Sequence, residues 1–153
     1  MDVRTTVQGI EISHTNESWA VLNDGSGWIL HTKKTYTNGT DALTEVTAYK
    51  GPENHVGPII QAFVANRIAW RELSDGTAET YSYTDYDSTG TYTQTVRKGA
   101  GNRSGITEGI ETVSKRNRRK MTVEETVNYI PASGSPIQMS HWVATNVDLF
   151  GRP

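Results

Sequence analysis

The sequence has no cysteine, only two phenylalanines and no long hydrophobic run. Its 153 residues include 5 Pro, and 35% of them are hydrophobic. The absence of cysteine excludes a disulfide framework, a thiolate metal site and a cysteine nucleophile. No apolar stretch approaches the roughly 20 residues that a membrane-spanning helix needs. Because the N-terminus lacks the basic and then apolar layout of a secretory signal, we expect a soluble protein made in the cytoplasm.

Threonine is in excess, with 21 copies, and it is accompanied by seven Tyr and four Trp. β-branched and aromatic side chains favour pleated, half-exposed strands over helices. Turn sequences such as Asn38-Gly39 and Asp75-Gly76 recur at short intervals, and runs of period-two alternation lie between them. The sequence therefore predicts an all-β fold, mainly an antiparallel sheet of hairpins, with residues 1–153 as a single domain.

The alternation predicts ten strands. We place them at 3–13, 17–23, 27–37, 42–50, 66–74, 77–86, 90–98, 106–114, 119–130 and 137–149. The stretch 58–73 is ambiguous: its first part, 58–66, fits a short helix with Pro58 in the first turn, but the same residues also alternate as a strand would. Residues 99–105, rich in glycine, are predicted to form a flexible loop.

The last two strands are predicted to form a hairpin with one apolar and one polar face. In 119–130, Met121, Val123, Val127 and Tyr129 share one face, and Lys120, Thr122, Glu124, Thr126 and Asn128 share the other. In 137–149, Ile137, Met139, Val143, Val147 and Leu149 share the apolar face, which also carries His141, and Gln138, Ser140, Trp142 and Asn146 share the polar one.

The net charge of -2 conceals an uneven distribution. Residues 97–120 carry eight basic residues against two acidic ones, a balance of +6, which leaves -8 for the rest of the chain. Such asymmetry within a small domain indicates either a polyanionic partner or a solvated loop.

The sequence contains no convincing catalytic constellation. The four histidines are scattered without metal-ligand spacing, and we read them as surface or structurally hydrogen-bonded side chains. Glu125, on the predicted apolar face, is the best enzymatic candidate, because a buried carboxyl has a perturbed pKa, but a structural partner explains it equally well. We therefore expect no enzyme, no catalytic residue, no bound metal and no cofactor.

The basic run leads directly into the polar face of the strand at 119–130. Cations there suit phosphates, and the neighbouring amide, hydroxyl and aromatic groups suit the bases of unpaired or stem-loop RNA. The candidate RNA-binding residues are Lys115, Arg116, Asn117, Arg118, Arg119, Lys120, Thr122 and Asn128.

These residues also carry a resemblance. The run Asn117-Arg118-Arg119-Lys120-Met121-Thr122-Val123, followed by a strand ending at Ile130-Pro131, a loop and the strand 138–149, resembles the central strands of single-stranded RNA bacteriophage coat proteins. The resemblance covers residues 115–149. It implies a sheet that faces the capsid interior, binds genomic RNA and forms a dimer that assembles into an icosahedral shell. It further implies that Asn117, Arg119, Lys120, Thr122 and Asn128 face the RNA.

The leading hypothesis is therefore a capsid coat protein, made in the host cytoplasm and located in the virion, whose partners are RNA and further copies of itself. An alternative is a small-ligand-binding or isomerising β-barrel of lipocalin-like shape, with Trp19, Trp28, Trp70 and Glu125 lining a cavity. A third option is a carbohydrate-binding β-sandwich, which predicts exposed, coplanar Trp or Tyr rings.

Overall fold

The structure, a computed structural model, describes residues 2–7, 10–21, 28–37, 43–49 and 67–144. These residues contain ten strands. They are β1 (Asp2–Val7), β2 (Ile10–Val21), β3 (Ile29–Thr37), β4 (Thr44–Tyr49), β5 (Ile68–Leu73), β6 (Thr77–Thr84), β7 (Tyr92–Asn102), β8 (Gly105–Arg116), β9 (Thr122–Ile130) and β10 (Ile137–Val143).

The strands pair antiparallel in chain order, and the all-β prediction is confirmed. The helix considered for 58–66 lies outside the described residues, whereas the end of that ambiguous stretch, Ile68–Leu73, is strand β5.

The chain divides into two compact units, Met1–Thr77 and Ala78–Pro153. The single domain expected from the sequence stays a prediction.

The core of the first unit is formed by Ala48, Ala69 and Trp70. Trp28, Leu30 and Val46 pack against these three residues. The rings of Trp28 and Trp70 meet edge to face, with centroids 6.0 Å apart, which is a favoured aromatic geometry. The small side chains of Ala48 and Ala69 are buried beside the large indole of Trp70.

Several strand boundaries differ from those expected. The predicted strand 3–13 is wrong, because it covers both β1 and the start of β2, and the predicted break at 14–16 is wrong, because β2 runs without interruption from Ile10 to Val21. The predicted flexible loop at 99–105 is also wrong, because β7 continues to Asn102 and β8 begins at Gly105. The connection is a tight turn in which the side-chain oxygen of Asn102 accepts a hydrogen bond from the Ser104 amide at 2.8 Å.

Glycines allow β7 and β8 to approach closely. Gly99 lies opposite Gly109 in the register, and a Cβ on either residue would collide with the opposing backbone, at the Glu108 and Lys98 carbonyls respectively. The glycine run therefore marks a place where two strands touch backbone to backbone. Sequence alone suggests a flexible loop there, because glycine is common both in flexible loops and where two backbones lie close together.

The substitutions Gly99→Ala and Gly109→Ala are expected to destabilise the protein. Each adds a methyl group where the opposing backbone already lies, and strain of this kind costs roughly 1–3 kcal/mol. Urea unfolding followed by circular dichroism measures the loss. Gly105→Ala is the matched control, since its Cβ would meet nothing within 4 Å. Equal stability of all three variants would contradict the close approach.

Candidate nucleic-acid interface

The basic run forms a rigid turn between β8 and β9, which we call the basic turn (residues 115–120). The side-chain oxygen of Asn117 accepts hydrogen bonds from the amides of Arg119 at 3.0 Å and Met121 at 3.1 Å. Its backbone pairs with Met121 and Lys120, and Lys120 adopts a positive φ of 64°. Asn is suited to this position because its short amide side chain can imitate a backbone turn.

The cationic side chains of the basic turn extend from this hydrogen-bonded backbone. Lys115, Arg118, Arg119 and Lys120 are exposed, and Arg116 donates a hydrogen bond to the Lys120 carbonyl at 3.2 Å. The stem of Arg118 lies against Gly90 in the turn before β7, where any larger residue would touch it. The structure therefore collects five cations at one end of the second unit and fixes the backbone that carries them.

Acidic side chains lie at the same end, but two of them are already engaged. The Asp87 carboxylate accepts bonds from the Thr89 hydroxyl at 2.6 Å and from the Thr89 and Thr91 amides, both at 2.9 Å. These bonds, the Thr89 hydroxyl foremost, hold the pKa of Asp87 below its ordinary value. Glu124 lies 3.3 Å from the His141 ring nitrogen.

The +6 segment does not form one patch. Arg97 pairs with Glu111 at 2.7 Å, and Lys98 pairs with Glu79 at 2.8 Å. Arg103 lies in the turn at the opposite end of β8, a strand of 12 residues and therefore about 36 Å long. The charge available to a polyanion is thus concentrated in the basic turn.

The structure brings together seven of the eight predicted RNA-binding residues. Six of them form the basic turn, and Thr122 begins β9 opposite Arg116. Asn128 is separate from them: six residues along the strand place it about 20 Å away. Its side-chain amide donates to Glu111 at 2.9 Å.

The predicted polar face of the last hairpin is divided by a register shift. Gln138 lies opposite Asn128, but the shift between Gln138 and Ser140 places Trp142 opposite Glu125. Trp142 therefore shares a face with Glu125, and the prediction that it shares the face of Asn128 is wrong. His141, which was predicted to lie on the apolar face, lies instead on the face of Glu124. The extra residue of a β-bulge reverses every later side chain, and nothing in the local alternation marks it.

Glu125 has a structural partner. The Ser114 hydroxyl, on a residue that is 4% exposed, donates to the Glu125 carboxylate at 3.0 Å. This contact explains the carboxylate on that face without an enzymatic role. Across the described ranges, no three His, Asp or Glu side chains are placed to hold a metal ion. No helix in the described part of the chain has the length and hydropathy to cross a membrane.

Sequence reasoning missed the polar network of Arg97, Glu111 and Asn128. Glu111 is 8% exposed, and it accepts from both neighbours. The sequence did contain a signal for this network. Arg97 and Glu111 are nearly the same number of residues from the turn at Arg103-Ser104, so they lie opposite each other in the hairpin. The expectation of a flexible loop at 99–105 hid this symmetry.

No family model matches this chain, and no curated protein or solved structure matches it either. The resemblance to bacteriophage coat proteins therefore stays a prediction.

Replacing Asn117 by Ala is expected to destabilise the protein by about 1 kcal/mol, because two turn amides lose their acceptor. Asn117→Asp, which keeps an acceptor oxygen in the same place, is the control and retains most of the stability. Chemical unfolding of both variants measures the difference. A loss in the aspartate variant equal to that in the alanine variant would contradict this role of the side chain.

Stability is expected to depend on the charge of Glu111. Burial raises the pKa of this carboxyl, but hydrogen bonds from Arg97 and Asn128 outweigh it and hold the pKa below 4.5. The charged form therefore stabilises the fold above pH 4.5, and this contribution disappears as the pH falls through the lowered value. Glu111→Gln removes the titration, so urea unfolding should show the stability gap between the two proteins narrowing in acid. A gap independent of pH would contradict this.

Proposed function

We propose that the protein is the coat protein of an RNA-containing shell, which assembles from copies of this chain and holds RNA through the basic turn. The observation that carries the proposal is the placement of five cations on a hydrogen-bonded turn at one end of an open sheet. A turn of fixed shape presents charges to a polyanion without first losing conformational entropy.

The chemistry of the basic turn suits phosphate. Arginine donates in a planar fork that matches phosphate oxygens, and lysine supplies a compact charge. Such contacts bind any sequence, because the phosphate backbone is uniform. Thr122, the first residue of β9, lies opposite Arg116 of the basic turn. The candidate residues therefore include a hydroxyl group that can contact sugar or base.

The edge strand supports self-assembly. Every residue of β10 is exposed, and the strand carries large apolar side chains there. Ile137 is 58%, Met139 63%, Trp142 41% and Val143 52% exposed. An edge strand with apolar side chains and unpaired backbone groups is a template for pairing with another chain. A second copy of the protein would cover this surface.

The small number of buried side chains also supports self-assembly. Among the described residues, the buried hydrophobic side chains are Ala48, Ala69, Trp70, Ala78 and Tyr92. Strand β9 is half-buried along its whole length, on both faces. Half-buried strands of this kind gain burial, and therefore stability, when neighbouring copies pack on them. Residues 115–149 resemble single-stranded RNA bacteriophage coat proteins, a family in which copies of one chain pack together into a shell.

No observation favours the ligand-binding barrel. Trp19 lies opposite His31 on one face of the first unit, whereas Trp28 and Trp70 pack on the other face. Glu125 is bonded to Ser114. The three tryptophans proposed to line one cavity thus lie on both faces of the first unit.

The test compares two triple variants that lose the same charge. Arg118, Arg119 and Lys120 are changed to Ala in the first variant, and Arg4, Lys34 and Arg103 in the second. Light scattering gives particle mass, and the ratio of absorbance at 260 and 280 nm gives nucleic-acid content. We expect nucleic acid in particles of the wild type and the second variant, and its loss in the first.

Binding of single-stranded RNA at several salt concentrations measures the contacts directly. Loss of three phosphate contacts should reduce the slope of log affinity against log salt by about 2, since each contact contributes about 0.7. A wild-type protein that is a 17 kDa species free of nucleic acid would overturn the proposal. An equal loss of RNA in both variants would exclude the basic turn as the binding site.

A further inference from the structure

An aromatic row crosses three strands of the first unit, on the face opposite its core. Trp19 of β2 stacks on His31 of β3, with ring centroids 4.3 Å apart and planes 21° apart. Tyr49 of β4 continues the row, 5.9 Å from Trp19 and inclined by 29°. We call these three residues the aromatic row.

The indole of Trp19 packs against a neighbouring ring and is also largely exposed to solvent. One side of the ring lies against His31, whose side chain is 17% exposed, yet Trp19 itself is 62% exposed. Stacking on His31 and Tyr49 holds the orientation of the indole, and more than half of its surface remains accessible to a ligand. Apolar rings usually turn inward in a sheet protein, so a held, outward-facing indole is a feature of binding surfaces.

The charges around the aromatic row balance. Glu17, Lys33 and Glu45 lie opposite one another across β2, β3 and β4, two residues from the stacked pair. Arg71 joins this face through Glu45, at 3.2 Å. Glu17 approaches His31 to 3.5 Å. Among the described side chains around the aromatic row, two carboxylates thus offset two cations, which does not favour a phosphate backbone.

We propose that the aromatic row binds a neutral pyranose ring of a carbohydrate, a function separate from the proposed binding of RNA. The face of an aromatic ring is electron-rich, and the C–H groups on one side of a pyranose carry slight positive charge, so the two stack. The hydroxyl groups at the ring's rim then reach the acidic and basic side chains of the Glu17–Lys33 pair. A balanced set of donors and acceptors suits hydroxyls, which act as both.

Three neutral hexasaccharides, namely cellohexaose, maltohexaose and chitohexaose, serve as probes with the full-length protein. Saturation-transfer NMR detects binding, and the dependence of its signal on sugar concentration gives the dissociation constant for the wild type and the variants alike. We expect at least one of them to bind with a millimolar constant, and Trp19→Ala to weaken that binding by about tenfold or more. Leu43→Ala is the control, because it removes an exposed apolar side chain outside the aromatic row and leaves the binding unchanged. Circular dichroism confirms that both variants remain folded.

Decauridylate provides the competing arm, since nucleobases also stack on exposed indoles. Failure of all three sugars to bind would overturn the inference, as would equal binding by wild type and Trp19→Ala. Binding of decauridylate that depends on Trp19, in the absence of sugar binding, would assign the aromatic row to nucleic acid instead and overturn it. The readout does not involve assembly, so it is independent of the coat-protein proposal.

Discussion

The register between β7, β8 and β9 is the constraint on which the second unit depends. Once backbone hydrogen bonds fix that register, they decide which side chains meet on each face. Glu111 meets both Arg97 and Asn128, Ser114 meets Glu125, and the two glycines at 99 and 109 meet each other. A slip of one residue would bury unpaired charges, so the polar network and the glycine contact stabilise the same alignment.

This alignment also separates charge that has a structural role from charge that is available to a partner. The cations in the middle of β7 neutralise carboxylates on neighbouring strands. Those of the basic turn extend beyond the ends of the strands, where Asn117 holds the backbone and Asp87 is engaged in its own turn. The functional proposal therefore depends on position at a sheet end more than on the total charge of the segment.

The two units present different surfaces. The second has a basic turn and an exposed apolar edge strand, the features that favour a polyanion and another copy of the chain. The first has Trp70 buried against the half-buried Trp28 on one face and the row of Trp19, His31 and Tyr49 on the other. Aromatic composition alone does not separate these roles, because the same residue type forms the core on one face and a platform on the opposite face.

By itself the sequence determined the strand content, the turn at Asp75-Gly76, the absence of any cysteine chemistry and the clustering of cations before β9. These follow from local propensity and spacing. Only the tertiary structure decided that 99–105 is two strand ends joined by a two-residue turn, that a bulge moves Trp142 to the other face, and that Asn128 lies far from the basic turn. Such features depend on which backbones pair and where one residue is left out of the pairing, and neighbouring residues along the chain carry no signal of that choice.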